Sequence, residues 1–372
     1  MTKAGIATAL ASIWLAAAAT AEETPFTHES FDGYRIEARL ALPEGVAEGE
    51  VERVVILLGG SGAYDMDLDL TTVSRDKATK NLWLKEVSDA LVAGGFGTIR
   101  YNKRPFQLGV TIQAVKAAKR EPTEEERAVV KRYQDNPLKA IVDDCKSFAE
   151  AAEKRFPKAK ILLLGASEGT HVALWAAHEL KQIDGVALIG FYARSLDTTT
   201  YEQMVHRDQY PFRELDKDGD GDLTKDELKS EAPSARTLLL QFAALDIDGD
   251  GRLSLMEYKA ACLVAWAKSG DVGDAYRRQE AAYPAMFDIL KESDYPVVFL
   301  QGMWDNQTPA CNAMAAEVLA RYVWKKDTLT FRYFPKLGHC LDPRESENDL
   351  LYSRIDADAA KAVVAEMDKR FR

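Results

Sequence analysis

Short runs that are apolar at nearly every position, rather than at every second one, constrain the fold of this 372-residue chain most strongly. Val54-Val55-Ile56-Leu57-Leu58, Ile161-Leu162-Leu163-Leu164, the stretch from Gly185 to Gly190 and Val297-Val298-Phe299-Leu300 are of this kind. A strand covered on both faces needs such a run, and strands of that sort belong to parallel sheets. Phe96 to Tyr101 and Thr328 to Phe334 add strand character, while the spacing turns helical over 82–92, 136–156, 170–180 and 356–371. The alternation predicts a three-layer α/β domain built on a mostly parallel sheet. A polar excursion over 192–290 interrupts it between two late strands. An insertion of that length sits at a sheet end, and the carboxyl end is where open parallel sheets bind ligands, so a cap is expected there.

The charge balance is 48 − 59 = −11, and no dense basic cluster of the kind that binds polyphosphate occurs. A nucleic-acid partner is therefore not expected. Met1-Thr2-Lys3 precedes a small-residue apolar run from Ala4 to Ala18, followed by Ala19-Thr20-Ala21 and Glu22-Glu23. This is the pattern of a secretory leader cut after Ala21, and it falls short of the ~20 strongly apolar residues of a membrane span. The expected organisation is a leader over 1–21, a first part of the α/β core over 22–191, the insertion over 192–290 and a second core part over 291–372. The mature chain is expected to be exported, periplasmic or secreted, with no span of its own.

Gly165-Ala166-Ser167-Glu168-Gly169 follows a strand signal and precedes a helix signal. A serine on so tight a turn needs small flanking residues, and the turn lifts its Oγ clear of the sheet beside the positive end of a helix. Serine also needs a base, and histidine has the suitable pKa. Of His28, His171, His178, His206 and His339, only His339 stands on a loop just past the last strand signal. The other four read as solvated or packing residues. A carboxylate must orient the imidazolium, and Asp305 lies just beyond the strand over 296–300, with Asp197 as the alternative. The order Ser167, Asp305, His339 is the one expected on an α/β-hydrolase sheet. The backbone N–H groups of Glu168 and Ser61, the latter in Gly59-Gly60-Ser61-Gly62, are the candidate oxyanion donors, with Gly62 as the alternative to Ser61. Asp65, Asp67 and Asp69 read as a solvated loop.

Together these residues resemble the α/β-hydrolase superfamily, in particular an esterase-like branch with Gly60-Ser61-Gly62, Asp65 and the strand end Arg100-Tyr101-Asn102-Lys103-Arg104. The resemblance implies acyl transfer to water through an acyl-serine, on a small-molecule acyl substrate. It departs at Gly59, where many members carry histidine, and at Pro105, where glycine usually follows the basic residues. Convergence of the Asp305 and His339 loops would bring Cys311 near Cys340, and a disulfide between them is expected, with Cys145 and Cys262 left open.

Within the insertion, residues 216–227 and 246–257 are two complete EF-hand loops. Asp216, Asp218, Asp220, Asp222 and Glu227 fill positions 1, 3, 5, 7 and 12 of the first, and Asp246, Asp248, Asp250, Arg252 and Glu257 those of the second. Position 7 contributes only its backbone carbonyl, so Arg252 is admissible there. Two calcium ions are expected, with Leu223 and Leu253 pairing the loops. The combined reading is an exported serine hydrolase with a calcium-binding cap. A peptidase or thioesterase on the same residues, and a non-catalytic calcium-binding protein on a hydrolase fold, are the alternatives.

Overall fold

The computed structural model describes residues 23–207, 209–229, 233–267, 270–349 and 351–372. The expected leader therefore lies outside the described residues. In chain order the elements are β1 (Glu23–Glu29), β2 (Arg35–Ala41), β3 (Arg53–Leu58), α1 (Trp83–Ala93), β4 (Gly97–Tyr101), α2 (Arg104–Ala117), α3 (Glu124–Asp135), α4 (Pro137–Arg155), β5 (Lys160–Ala166), α5 (Glu168–Glu179) and β6 (Ile183–Ile189). Next come α6 (Leu196–Tyr201), α7 (Gln209–Leu215), β7 (Asp222–Leu223), α8 (Pro233–Leu245), β8 (Leu253–Ser254), α9 (Leu255–Ala267), α10 (Gly270–Glu280) and α11 (Met286–Glu292). The chain then returns to the sheet with β9 (Val297–Gly302), α12 (Cys311–Val318), β10 (Leu329–Phe334) and α13 (Ala357–Arg370).

Eight strands form one sheet in the order β1-β2-β4-β3-β5-β6-β9-β10. Every pairing from β4 to β10 is parallel, and β1 and β2 join antiparallel at one edge. The doubly apolar runs form the middle strands because alternate residues enter two different cores. Val54, Ile56, Leu163, Leu188 and Phe299 pack with α4, α5, α11 and α12 on one face. Val55, Leu57, Leu164, Ile189 and Leu300 pack with α1 and α13 on the other. β2, next to the edge strand β1, alternates buried and exposed residues, the pattern of an antiparallel strand with one face covered. That weaker pattern, the weak helical periodicity of α2 and the polar sequence of α3 left these elements outside the sequence expectation.

The segment between β6 and β9 holds α6 to α11 and the β7–β8 ribbon, where Leu223 pairs with Leu253 as expected. Phe212, Leu215, Phe242, Leu253 and Tyr258 give it a small core of its own. Among the described residues, no helix is long and apolar enough to cross a membrane.

The expected Cys311–Cys340 bridge is absent, and no disulfide links the four cysteines. Cys311 is exposed at the start of α12, whose Ala313 and Ala316 pack on one face of the sheet, whereas Cys340 is buried in the core of the other face. Cys340 thus packs on the face opposite the one α12 covers, while a bridge needs Cβ atoms about 4 Å apart.

What pins the two loops together is backbone packing. A Cβ on Gly302 would lie 2.2 Å from the Gly338 carbonyl oxygen, and the N–H groups of Met303 and Trp304 donate to Phe334 and Leu337 at 2.9 Å each. The turn after β5 is equally tight. A Cβ on Gly165 would lie 2.1 Å from the Gly169 oxygen, and one on Gly169 would lie 2.5 Å from the Leu58 oxygen. Gly169→Ala is expected to cost about 3 kcal/mol, because backbone must move to admit the methyl group. Urea unfolding should show this as a lowered midpoint, and an unchanged midpoint would contradict the packing described.

Candidate active site

β5 ends at Ala166 and α5 begins at Glu168, leaving Ser167 alone between them at φ 53°, ψ −121°. L-residues avoid this backbone region unless neighbours over-determine it. Here they do: the Ser167 N–H donates to the Ile189 carbonyl at 2.9 Å, and the Ser167 carbonyl accepts from the Thr170 N–H at 2.8 Å and from Thr170 Oγ1 at 2.6 Å. A Cβ on Gly60 would stand 3.3 Å from the Ser167 Cβ, so glycine lets the 59–62 turn lie directly against the serine. Glu168 opens α5, where helix geometry leaves its N–H without an intrahelical acceptor. Ser61 is exposed on the facing turn.

Beyond β9 and β10, the His339 Nδ1 lies 2.9 Å from Asp305 Oδ2 and 3.1 Å from Oδ1. An ionised carboxylate only accepts, so Nδ1 carries the proton and Nε2 is left as the basic nitrogen. Gly190, at φ 65°, makes room for the ring, since a Cβ there would lie 2.8 Å from His339 Cε1. Trp83 Nε1 donates to the Cys340 carbonyl at 2.7 Å and fixes the loop from the other side. Asp305 is fully enclosed. It accepts from Thr308 Oγ1 at 2.6 Å, the Thr308 N–H at 2.8 Å, the Gln307 N–H at 2.9 Å and Gln301 Nε2 at 2.9 Å. Burial pushes its carboxyl up, but the His339 charge and these hydrogen bonds outweigh it and hold Asp305 below the ordinary range. Ser167 and His339 both line one cavity of about 70 Å³ without a direct hydrogen bond between them, a contact that commonly tightens only when substrate is present.

In the first EF loop, carboxylate oxygens of Asp216, Asp218 and Glu227 lie within 4.8 Å of one another, as do those of Asp246, Asp248 and Asp250 in the second. Gly221 and Gly251, at position 6, take φ 92° and 87°. Their N–H groups donate to Asp216 and Asp246 at 3.1 Å. Glu227 and Glu257 are held in place by Thr224 Oγ1 and Ser254 Oγ, each donating at 2.8 Å. An all-oxygen set in a turn of this shape suits a hard divalent cation. The Arg252 guanidinium pairs with Asp220 of the first loop, while the Asp222 and Arg252 carbonyls occupy position 7.

The EF hand family model matches residues 211–230 and 240–263. Among solved structures, Est1E from Butyrivibrio proteoclasticus is similar over 93% of this chain and 98% of its own, at 14% identity and a TM-score of 0.50. The chain has the α/β-hydrolase fold with an EF-hand pair set into it. The esterase domain of a Rhodothermus marinus protein aligns over 94% of this chain and 100% of its own, at 13% identity and a TM-score of 0.48. A lidless a/b serine hydrolase from Xanthomonas campestris aligns over 94% of each chain, at 13% identity and a TM-score of 0.43. No curated protein sequence matches this chain.

On this α/β-hydrolase sheet, the Arg100-to-Arg104 strand end anchors what surrounds the serine. Arg100 pairs with Glu23 and Asp67, and Asn102 Oδ1 accepts from the Met66 N–H at 2.9 Å. Lys103 Nζ donates to the Gly60 carbonyl at 2.7 Å and also pairs with the buried Glu168 side chain. Asp65 accepts from the N–H groups of Asp67 and Asp69 and so shapes the loop, while Asp67, expected to be solvated, is instead held by the buried Arg100. Asp197, the alternative acid, pairs instead with Arg277 at 3.0 Å.

Sequence reasoning missed Thr308, Gln301, Lys103's contacts and Tyr276. The Asp-x-x-Thr spacing of Asp305 and Thr308 was the available signal, since it is that of a carboxylate capping a turn.

Tyr276 of α10 donates to Glu168 Oε1 at 2.6 Å. Behind it, Glu280 accepts from the Leu196 N–H at 2.7 Å and lies 3.8 Å from His171 Nδ1. Burial pushes Glu280 up to about 7, with the charges of Glu168 and Asp197 adding to it, and burial pushes the His171 imidazole down to about 3. An acid raised in the folded state loses stability as pH rises from its ordinary value of 4.5 towards its folded value, and the loss is complete above that. Glu280→Gln, which keeps the acceptor for Leu196, is expected to match the parent's melting temperature near pH 5 and exceed it by about 2–4 °C at pH 8. Parallel pH profiles would contradict the buried acid.

Proposed function

We propose that this protein is an exported serine hydrolase that cleaves a carboxylic ester or related acyl compound, with a calcium-binding cap over the 192–290 segment. The observation that carries the catalytic reading is the strained Ser167 turn sharing one cavity with His339, whose Nδ1 is bonded to the enclosed Asp305. In this reading the Ser167 Oγ attacks the carbonyl carbon while His339 Nε2 takes its proton, and Asp305 stabilises the imidazolium. The N–H groups of Glu168 and Ser61 meet the oxyanion. Collapse of the tetrahedral intermediate expels an alkoxide that the imidazolium protonates. Water, activated by the same nitrogen, then releases the acid from the acyl-serine. Export is supported by the leader pattern of residues 1–21.

The two loops fit calcium by their donor chemistry and turn shape, with Asp216, Asp218, Asp220, Glu227 and the Asp222 carbonyl in one set, and Asp246, Asp248, Asp250, Glu257 and the Arg252 carbonyl in the other. In these positions the carboxylates would hold the ions, whose charge would offset their crowding and favour the packing of α7, α8 and α9 around their shared core. Because exported proteins meet calcium at levels that keep modest sites filled, a constant structural role is favoured.

A fluorophosphonate probe is expected to label Ser167, and Ser167→Ala should abolish labelling and lower kcat by about 10⁴-fold or more. Labelling that persists in the alanine variant, or none in the parent, would overturn the catalytic reading. Calorimetric titration of chelator-treated protein should find two calcium ions per chain, with Glu227→Gln and Glu257→Gln each losing one. Calcium should also raise the melting temperature, by RT ln(1 + [Ca]/Kd) in free energy, or about 4 kcal/mol at a thousand-fold excess over Kd. No heat of binding would refute the metal sites and leave the catalytic proposal standing.

A further inference from the structure

Two cavities share Ser61 as a wall. The smaller, about 70 Å³, is lined by Ser167 and His339 together with Tyr64, Trp83 and Tyr352. The larger, about 400 Å³, begins at Ser61 and Glu168 and runs between the sheet end and the insertion, where Tyr133, Ile141, Leu196, Trp266 and Tyr276 line it. Ser167 and His339 border the smaller one and not the larger, which is reached from the serine past Ser61 and Glu168.

That asymmetry has a chemical consequence for an acyl-transfer site. The departing alkoxide oxygen must come within reach of His339 Nε2 to be protonated, so the alcohol part of the ester belongs on the His339 side. The acyl carbon skeleton then extends past the Ser61 and Glu168 N–H groups into the larger space. Size decides what each side admits. A cavity of about 150 Å³ holds benzene. The smaller cavity, at about 70 Å³, is matched to a methoxy- or ethoxy-sized group rather than to a ring, whereas the larger is of ordinary ligand size.

Charge decides the rest. Lys103 is paired with Glu168, and Arg277 with Asp197 at 3.0 Å, so every ionic group on the wall of the larger cavity named here already has its counter-charge. The remaining walls are mostly aromatic and aliphatic, with Ser61 and Thr200 as uncharged polar residues among them.

We propose that the site is specific for esters joining a bulky, uncharged, ring-bearing acyl group, held in the larger cavity, to a small alcohol that leaves past His339. This rests on the catalytic reading given above. Trp266 belongs to α9, the helix that leaves the second EF loop directly after Ser254, and it meets Tyr201 edge-on at 5.1 Å. One wall of the acyl cavity is thus carried by the calcium-binding unit itself.

Methyl hydrocinnamate and phenethyl acetate are isomers with the ring on opposite sides of the ester, and the full-length protein with calcium present is the material to test. The expected result is a kcat/KM for methyl hydrocinnamate at least about tenfold above that for phenethyl acetate. Leu196→Trp, or Thr200→Trp should the first not fold, narrows the larger cavity and is expected to lower the ratio of methyl hydrocinnamate to methyl acetate turnover by about tenfold. A para-carboxylate on the hydrocinnamate ring should slow the reaction. Equal or reversed preference between the isomers, an unchanged ratio in a folded tryptophan variant, or faster turnover of the carboxylate would each overturn this assignment. Fluorophosphonate labelling of Ser167 keeps the two levels apart. A labelled enzyme with the wrong preference defeats only the acyl-cavity proposal, while an unlabelled and inert one defeats the hydrolase reading beneath it.

Discussion

The close approach of backbone to backbone at the carboxyl end of β5 is the constraint on which the rest of the site depends. Gly165 and Gly169 let the turn, the start of α5 and the end of β3 pass within distances that no Cβ tolerates. Only in that compressed setting does Ser167 keep a positive φ, and the strain is balanced by hydrogen bonds from both sides, to Ile189 and from Thr170. The same compression places Gly60 against the serine. One steric fact therefore sets both the exposed position of the hydroxyl and the closeness of the turn that carries Ser61.

A polar chain then ties this turn to the insertion. Lys103 reaches the Gly60 carbonyl and the Glu168 carboxylate, Glu168 accepts from Tyr276, and Glu280 on the next turn of α10 accepts from the first N–H of α6. Each is a buried or half-buried group that would be costly alone. Linked together, they fix α10 over the sheet end, where its Tyr276 becomes a wall of the larger cavity. The EF-hand unit has its own small core, and among the described residues it bears on the reaction site in two ways: Gln203 and Arg207, just ahead of α7, donate to the Gln307 and Asn306 carbonyls on the Asp305 loop, and α9 places Trp266 in the wall of the larger cavity.

Much of this was legible in the chain because it depends on local chemistry. Doubly apolar runs predicted the central strands within a residue or two, since burial on both faces leaves a signature that an edge strand lacks. β1 is largely exposed and β2 alternates, so neither carries that signature and both were missed. The EF loops were readable in full, position by position, because ligand spacing within twelve residues is fixed by the loop itself. The choice of Asp305 and His339 followed from their places after strands, and the structure brings them to 2.9 Å. The cysteine pairing failed for a reason no spacing reveals: loops that converge at a sheet end can still send their side chains to opposite faces.

The sequence alone therefore determined the strand–turn–helix around Ser167, the layered α/β class and both oxygen-rich loops, because each is written in residues adjacent in the chain. Tertiary structure decided which side of the sheet each cysteine occupies, that Thr308 and Gln301 fix Asp305, that Lys103 and Tyr276 share Glu168, and that two cavities of unequal size meet at Ser61. The Tyr276–Glu168 bond joins residues 108 positions apart and forms only when the insertion is laid over the end of the sheet, an arrangement that periodicity and local propensity do not encode.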